Sequence, residues 1–246
     1  MDRSLYEEHA LLERDHWWFV ARRAILETVL AAHLPPAEGR RILDVGCGTG
    51  GMLPMLARYG QVSGIEGEPL AVEHCHAAFA EFGVQQGEIP ADVPSDGSLD
   101  VVTAFDVIEH IGDDLGAVGS LWSAVRPGGT MVVTVPALSW LWSDHDVVNG
   151  HKRRYTRAGL LSVVDHAGFE VVHASYFNTV LLPTVAAARL SQRLRPRPVV
   201  AHSDFTMPSP RLNAILTRAM SSERTVVARR GLPVGVSLVA VARRPG

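Results

Sequence analysis

The run Ile42-Leu43-Asp44-Val45-Gly46-Cys47-Gly48-Thr49-Gly50-Gly51 constrains this chain more than any other stretch. Apolar residues lead into a carboxylate and then a glycine-rich turn, after which Met52-Leu53-Pro54-Met55-Leu56-Ala57 takes up a helix-like pattern. A buried strand, a tight turn and a helix start make the first half of a Rossmann-like unit. Glycine at such a turn adopts backbone conformations closed to other residues and lets a ligand approach the bare backbone. The helix start adds unpaired N–H groups aimed at the same point.

Spacing alone leaves the ligand open. Gly46, Gly48 and Gly51 fit G-x-G-x-x-G, and Glu66 follows about twenty residues on, as in a dinucleotide-binding fingerprint. Asp44 argues against that ligand, because a carboxylate beside the turn repels a pyrophosphate. It suits a ligand that brings a cation, such as the ammonium of an amino-acid moiety. With these residues the sequence resembles the class I S-adenosylmethionine (SAM) methyltransferases, whose first motif reads much like Leu43 to Gly50. The resemblance implies SAM as cofactor, S-adenosylhomocysteine as product, and contacts from Asp44, Gly46, Cys47, Gly48 and Gly50.

The rest of the chain extends the pattern. Strands are expected at Arg41 to Asp44, Gln61 to Glu66, Val84 to Gln86, Leu99 to Ala104, Thr130 to Val135, Gly168 to Ser175 and Val236 to Val241. Helices are expected at 51–58, Leu70 to Phe82, Leu115 to Val125 and Ala158 to Ala167, the last capped by Thr156. Arg126-Pro127-Gly128-Gly129 reads as a structural turn before the fifth strand. The expected fold is an α/β, Rossmann-like, seven-stranded and mostly parallel sheet with helices on both faces. The last strand is expected antiparallel, as the resemblance implies. Residues 1–36 read as an N-terminal helical lid, 37–177 as the core, 178–225 as a cap insertion and 226–246 as the last strand.

Several segments carry candidate chemistry. Glu66, at the end of the second strand, offers two oxygens matched to the ribose hydroxyls. Glu88 and Ile89 stand where the resembled family holds adenine, with Glu88 in place of the usual Asp. Phe105-Asp106-Val107-Ile108-Glu109-His110 resembles the family's segment after the fourth strand, and Phe105 and Asp106 are expected at the cofactor. His16-Trp17-Trp18-Phe19-Val20-Ala21-Arg22-Arg23 is similar to a segment of one branch of these enzymes. It reads either as a staple, through Trp17 and Phe19, for the N-terminal helices or as a lid over the cofactor with Arg22 or Arg23 meeting a carboxylate or an anionic substrate; Trp17 and Arg23 are the candidate substrate contacts. Leu5, His9 and Leu12 set a first helical stripe, and Ile25, Val29 and Leu30 a second, which Pro35-Pro36 ends.

The segment after the fifth strand says most about the acceptor. It gathers Trp140, Trp142, Asp144, His145, Asp146 and Gly150-His151-Lys152-Arg153-Arg154-Tyr155 into sixteen residues. Open α/β sheets bind ligands outside the carboxyl ends of their strands, which is where it runs. An imidazole titrates near neutral pH, so His151 first and His145 second are candidate bases. Arg153 and Arg154 suit an anion, and Tyr155 can orient an acceptor. The competing reading is a solvated loop tied down by Asp–Arg pairs. Asp144, His145 and Asp146 match no established metal-ligand spacing, so no metal is expected.

Thr179 to Ala188 is apolar and is followed by Arg189, Arg193, Arg195 and Arg197. It reads as a cap helix over the acceptor pocket or as an interfacial helix touching a membrane surface. Pro196, Pro198, Pro208 and Pro210 mark an extended loop, and a further helix is expected at 211–221.

Composition excludes some classes. At 246 residues and 47% hydrophobic the chain can bury a full core, and its net charge of −3 does not describe a polyanion binder. Two cysteines form no disulfide framework, and the charged first ten residues form no signal peptide. A cytoplasmic enzyme, monomer or homodimer, without a membrane span or nucleic-acid partner, is the expectation. The expected reaction is methyl transfer from SAM to a small-molecule acceptor, at a hydroxyl of a secondary metabolite, sugar or lipid-linked intermediate. The alternatives are an RNA or protein methyltransferase, a non-catalytic SAM-binding scaffold, and the dehydrogenase that the glycine spacing alone suggests.

Overall fold

The computed structural model describes residues 10–34, 37–194 and 206–246, with the backbone only at residue 193. Leu5, His9, Pro35, Pro36, Arg195, Pro196, Arg197 and Pro198 lie outside the described residues, as does the Arg193 side chain. Seven strands form one sheet: β1 (Arg41–Val45), β2 (Gln61–Glu66), β3 (Val84–Gln86), β4 (Leu99–Phe105), β5 (Val125–Pro136), β6 (Glu170–Phe177) and β7 (Ser237–Arg243). Their order is β3-β2-β1-β4-β5-β7-β6, and β7 pairs antiparallel with both β5 and β6. From β1 the chain winds outward through β2 and β3, then returns to the other side of β1 as β4. The point where the order reverses therefore lies between β1 and β4, with Asp44 opposite Thr103. Such a switch point is where open sheets hold ligands.

Side-chain alternation explains why both faces are covered. Leu43, Val102, Val133 and Ala240 enter one buried cluster, while their neighbours Ile42, Val101, Val132, Val239 and Val241 enter the other. Helix α1 (Trp17–His33) covers the second face through Ile25, Leu26, Val29 and Leu30, all fully buried. It is thus a layer of the domain, and only its N-terminal end, Trp17 to Arg22, reaches the region above the strand ends. Helices α2 (Leu53–Leu56) and α3 (Pro69–Ala78) follow the first two strands. The first face is covered by α4 (Asp114–Ala124) and α6 (Arg157–His166). Asp113 caps α4 through Gly116 N–H at 2.9 Å, and Thr156 caps α6 through Gly159 N–H at 3.1 Å.

Three features differ from the sequence reading. The Arg126-Pro127-Gly128-Gly129 turn lies inside β5 as a bulge, where Gly128 takes φ +75° and the pairing with β4 slips between Leu99 and Val101. A short helix α5 (Asp144–Val148) occupies the candidate acceptor segment, closed by a Ser143–Asp146 capping box. After α7 (Leu182–Leu194) and α8 (Pro210–Ser221), a further short helix α9 (Arg224–Arg229) precedes β7. Its Val227 and Ala228 are buried against α1, a tertiary contact with no local periodicity long enough to reveal it. Among the described residues no helix is long and apolar enough to cross a membrane.

Candidate active site

A cavity of about 610 Å³ opens above the carboxyl ends of β1 and β4. Its floor is the glycine turn after β1. Gly46 takes φ +68° and a Cβ there would lie 2.6 Å from Val107, so no other residue fits. Gly46 N–H and Cys47 N–H both donate to the Ile65 carbonyl, at 2.7 and 3.1 Å, which pins the turn to β2. The Cys47 thiol is pushed up by its hydrogen bond with Cys75 and by burial, so it stays protonated and serves as apolar lining.

Asp44 lies at the base of the cavity, 2% exposed. Burial pushes its carboxyl up to about 7, even though Thr103 Oγ1 donates to it at 2.6 Å and the Arg22 charge opposes the shift. A group in that state takes its charge back when a cation comes to rest on it.

The side of the cavity nearest α1 is aromatic. Trp17, Trp18, Phe19 and Phe105 line it, and the Arg22 guanidinium stands 5.0 Å from the Trp18 ring centre and 5.6 Å from that of Phe105. Arg22 Nη2 pairs with Asp106 Oδ2 at 2.5 Å and donates to Thr134 Oγ1 at 3.1 Å. Asp106 sits at φ +59°, a strained conformation for a residue with a side chain, directly after β4. Glu13, from the helical turn at 10–15, docks on Gly51, accepts a hydrogen bond from Thr49 Oγ1 and lines the cavity.

The opposite side carries ionisable groups. Glu109 is fully buried, and neither of its carboxylate oxygens has a hydrogen-bond partner among the described residues. Burial, with the Asp106 charge adding to it, holds its carboxyl well above the usual range. The His110 and His151 rings meet edge to face at 4.8 Å, and His145 lies 6.1 Å from His151. His151 Nδ1 is hydrogen-bonded to Asp146 Oδ1 at 2.9 Å, which leaves Nε2 as its working nitrogen. Burial raises the Asp146 carboxyl, but the hydrogen bonds from His151 and Arg154 overcome it and hold the group well below the carboxylate range. Asp146 also accepts from Ser143 N–H at 2.9 Å and Arg154 Nε at 2.7 Å, so an ionised, fully buried carboxylate fixes the whole corner.

The profile of a methyltransferase-domain family matches residues 16–174. The chain belongs to this family. A relative from Mycolicibacterium smegmatis, named "Probable S-adenosylmethionine-dependent methyltransferase", is 30% identical over 164 residues, 65% of this chain and 62% of the relative. A ubiquinone biosynthesis O-methyltransferase of Albidiferax ferrireducens is 38% identical over 104 residues, 39% of this chain and 41% of that one. The chain thus spans less than two thirds of the length of either relative. A SAM-dependent methyltransferase from Archaeoglobus fulgidus shares the fold, with a TM-score of 0.60 and 16% identity over 96% of this chain and 99% of that one. The cofactor of this methyltransferase is SAM, and the buried Asp44 carboxyl beside the glycine turn fits a ligand with an ammonium group.

In this methyltransferase the cavity gathers Trp17, Asp44, Gly46, Cys47, Gly48, Phe105, Asp106, His145, His151 and Arg154 from the sequence-stated candidates. Others stand elsewhere. Arg23 is one helical step from Arg22 and points away, donating to the carbonyls of Glu13 and Arg14 at 2.5 and 2.8 Å. Tyr155 is buried with its hydroxyl donating to Asp114 at 2.8 Å, and Arg153 pairs with the same carboxylate at 2.5 Å. Both brace the loop against α4. Gly50, at φ +86°, packs on Phe79 and shapes the turn from behind. Glu66 lies beside the cavity and accepts from Gly48 N–H at 2.8 Å and Glu68 N–H at 2.9 Å, so it holds the turn itself. Glu88 and Ile89 also lie outside the lining, with Glu88 N–H donating to Asp92 at 2.8 Å.

Of the alternatives Arg22 and Arg23 it is Arg22 that reaches the cavity, and Val185 and Arg189 reach it from the segment read as a cap helix. Sequence reasoning left out Glu13 and Asn178, which come from two separate segments. Asn178, at φ +58° directly after β6, was unmarked in sequence.

Proposed function

We propose that this methyltransferase methylates a hydroxyl oxygen of a small molecule bound between Asp44 and the His151 corner. The observation that carries the reading is the Asp146–His151 pair, one fully buried acid fixing one imidazole at the cavity wall. Bound in this cavity, SAM supplies a methyl group already activated by its sulfonium. Asp44 would hold the ammonium, and the glycine turn, its Gly46, Cys47 and Gly48 N–H groups spent on Ile65 and Glu66, would let the amino-acid moiety approach bare backbone. Glu66, with lone pairs left on both oxygens, receives the ribose hydroxyls. Trp17, Trp18, Phe19 and Phe105 exclude water from the reacting centre.

On the acceptor side, His151 Nε2 takes the hydroxyl proton, and the ionised Asp146 stabilises the resulting imidazolium and fixes its tautomer. Positioning supplies much of the rate, because holding two reactants together is worth roughly 7–11 kcal/mol. The relatives named as O-methyltransferases favour oxygen as the accepting atom. Val185 and Arg189 of α7 line the same cavity, which supports the reading of that helix as a cap over the acceptor. Leu190 and Leu194 are exposed, 58% and 73%, and keep a peripheral lipid contact in play for a lipid-linked acceptor.

The test is His151→Ala, assayed with hydroxylated metabolites and lipid-linked sugars as acceptors and with S-adenosylhomocysteine binding measured alongside. The expected result is a loss of turnover of at least a hundredfold with cofactor affinity unchanged. Near-normal turnover would remove His151 as the proton acceptor. Turnover confined to RNA or protein acceptors would move the reading to that class, and cofactor binding without turnover on any acceptor would favour a scaffold.

A further inference from the structure

Glu109 enters the cavity from the turn after β4, and His151 from the loop after α5. His110 follows Glu109 directly. One ligand atom from each of the three lies within 4.8 Å of the other two. Glu109 is buried and His151 half-buried, while His110 is exposed at the mouth of the group. Both oxygens of Glu109 are buried without a hydrogen-bond partner among the described residues, an arrangement that costs free energy unless something else fills it. Nδ1 of His151 is taken by the Asp146 carboxylate at 2.9 Å, which leaves Nε2 for a ligand. A carboxylate behind an imidazole is the outer shell that fixes a ligating histidine and raises its basicity. Arg154, which lines the same cavity, is turned onto Asp146 and the Ala137 carbonyl.

We propose that Glu109, His110 and His151 bind a divalent transition-metal ion of the zinc class, with at least one position open to the cavity. Two imidazoles and one carboxylate are a donor set that zinc uses when a fourth site is kept for water or substrate. Ligand bonds of about 2.0–2.1 Å bring ligand atoms of a tetrahedral site to roughly 3.4 Å from one another, so the three side chains close by about an ångström on loading. The open position takes an acceptor oxygen. A hydroxyl bound to the ion ionises near neutral pH, its proton passing to solvent water, and His151 then acts as ligand instead of base. The inference deepens the reading of this wall as the acceptor side and rests on it for its catalytic meaning, while ion binding is measurable on its own.

The experiment uses tag-free protein stripped with a chelator and dialysed. Zn²⁺ and Mn²⁺ are titrated separately by calorimetry against a chelator of known affinity, with Mg²⁺ as the hard-ion control. S-adenosylhomocysteine binding and methyl transfer are followed in parallel. The expected result is one tightly bound Zn²⁺ per chain and weak Mg²⁺. Affinity should fall at least a hundredfold in H110A and E109Q and roughly 10–100-fold in D146N, since Asp146 reaches the proposed ion only through Nδ1 of His151. H145A, one ring further out, should bind zinc normally. Thermal melts identify any variant that has lost its fold, and H110A and E109Q then stand in for D146N. No zinc binding, or binding that survives both E109Q and H110A, overturns the site. Full turnover by stripped protein that retains S-adenosylhomocysteine binding overturns its catalytic role and leaves the methyl-transfer reading standing. Loss of S-adenosylhomocysteine binding with zinc binding intact would instead strike at the methyl-transfer reading.

Discussion

Asp44 makes the cofactor affinity of this enzyme depend on pH in a way that its depth in the cavity dictates. Its carboxyl is raised from 3.8 to about 7 in the unliganded protein, chiefly by burial. A ligand ammonium resting on it favours the charged form, so the bound state has the lower pKa and binding expels a proton. With a free-state value of about 7, roughly 1% of Asp44 is ionised at pH 5 and roughly 90% at pH 8. Affinity for S-adenosylhomocysteine should therefore rise about 90-fold from pH 5 to pH 8, about 2.7 kcal/mol, and flatten above pH 8. Calorimetry in two buffers of different ionisation enthalpy counts the released protons, about 0.9 per site at pH 6.

The unliganded protein carries the opposite dependence. Native Asp44 holds its proton more tightly than the unfolded chain does, so stability falls as pH rises through the window from 3.8 to about 7. The loss is at most about 4 kcal/mol at one pKa unit per 1.36 kcal/mol. Asp44→Asn should remove both slopes, bind cofactor at least tenfold more weakly at pH 8 and melt higher than the parent there without ligand. It also controls for His16 and His110 in the same cavity, both held below the ordinary imidazole value chiefly by burial. Equal affinity at pH 5 and pH 8, or an unchanged slope in Asp44→Asn, would refute the reasoning.

Glu66→Ala should weaken S-adenosylhomocysteine binding at least tenfold, since it removes both the ribose acceptor and the brace on Gly48, and unchanged calorimetric affinity would separate Glu66 from the cofactor. Tyr155→Phe should cost about 1–2 kcal/mol of stability through the lost bond to Asp114 while turnover stays within a few fold. A hundredfold loss of turnover with the fold intact would return Tyr155 to the catalytic machinery. Arg22→Met leaves Asp106 beside the cavity without its buried cation and should cost about 3 kcal/mol in urea unfolding. A change below about 1 kcal/mol would show that the Trp18 and Phe105 rings, not the ion pair, hold Arg22 in place.

The central strands β1, β4, β5 and β7 were legible because each carries an apolar run buried on both faces, and the turn after β1 because its glycines have no substitute. The outcome at Arg22 and Arg23 shows where such reading stops. Neighbours on a helix point about 100° apart, so one enters the cavity and the other ties down residues 13 and 14, and nothing local tells them apart. Tyr155 and Arg153 had the right chemistry in the right segment, but Asp114, from a helix forty residues earlier in the chain, claims both. Glu109 carries no mark in the sequence, because its defining property, burial with no hydrogen-bond partner for its carboxylate among the described residues, exists only once the fold is assembled. Likewise Asp146 read as one member of an acidic cluster until the fold set His151, Arg154 and Ser143 around it.

The most direct test of the account is a crystal structure of the protein with S-adenosylhomocysteine. The account predicts the amino-acid moiety against Asp44 and the glycine turn, the ribose at Glu66, and the sulfur facing the Glu109, His110 and His151 wall across the acceptor space. Ligand in any other place, or with its sulfur turned away from that wall, would contradict it.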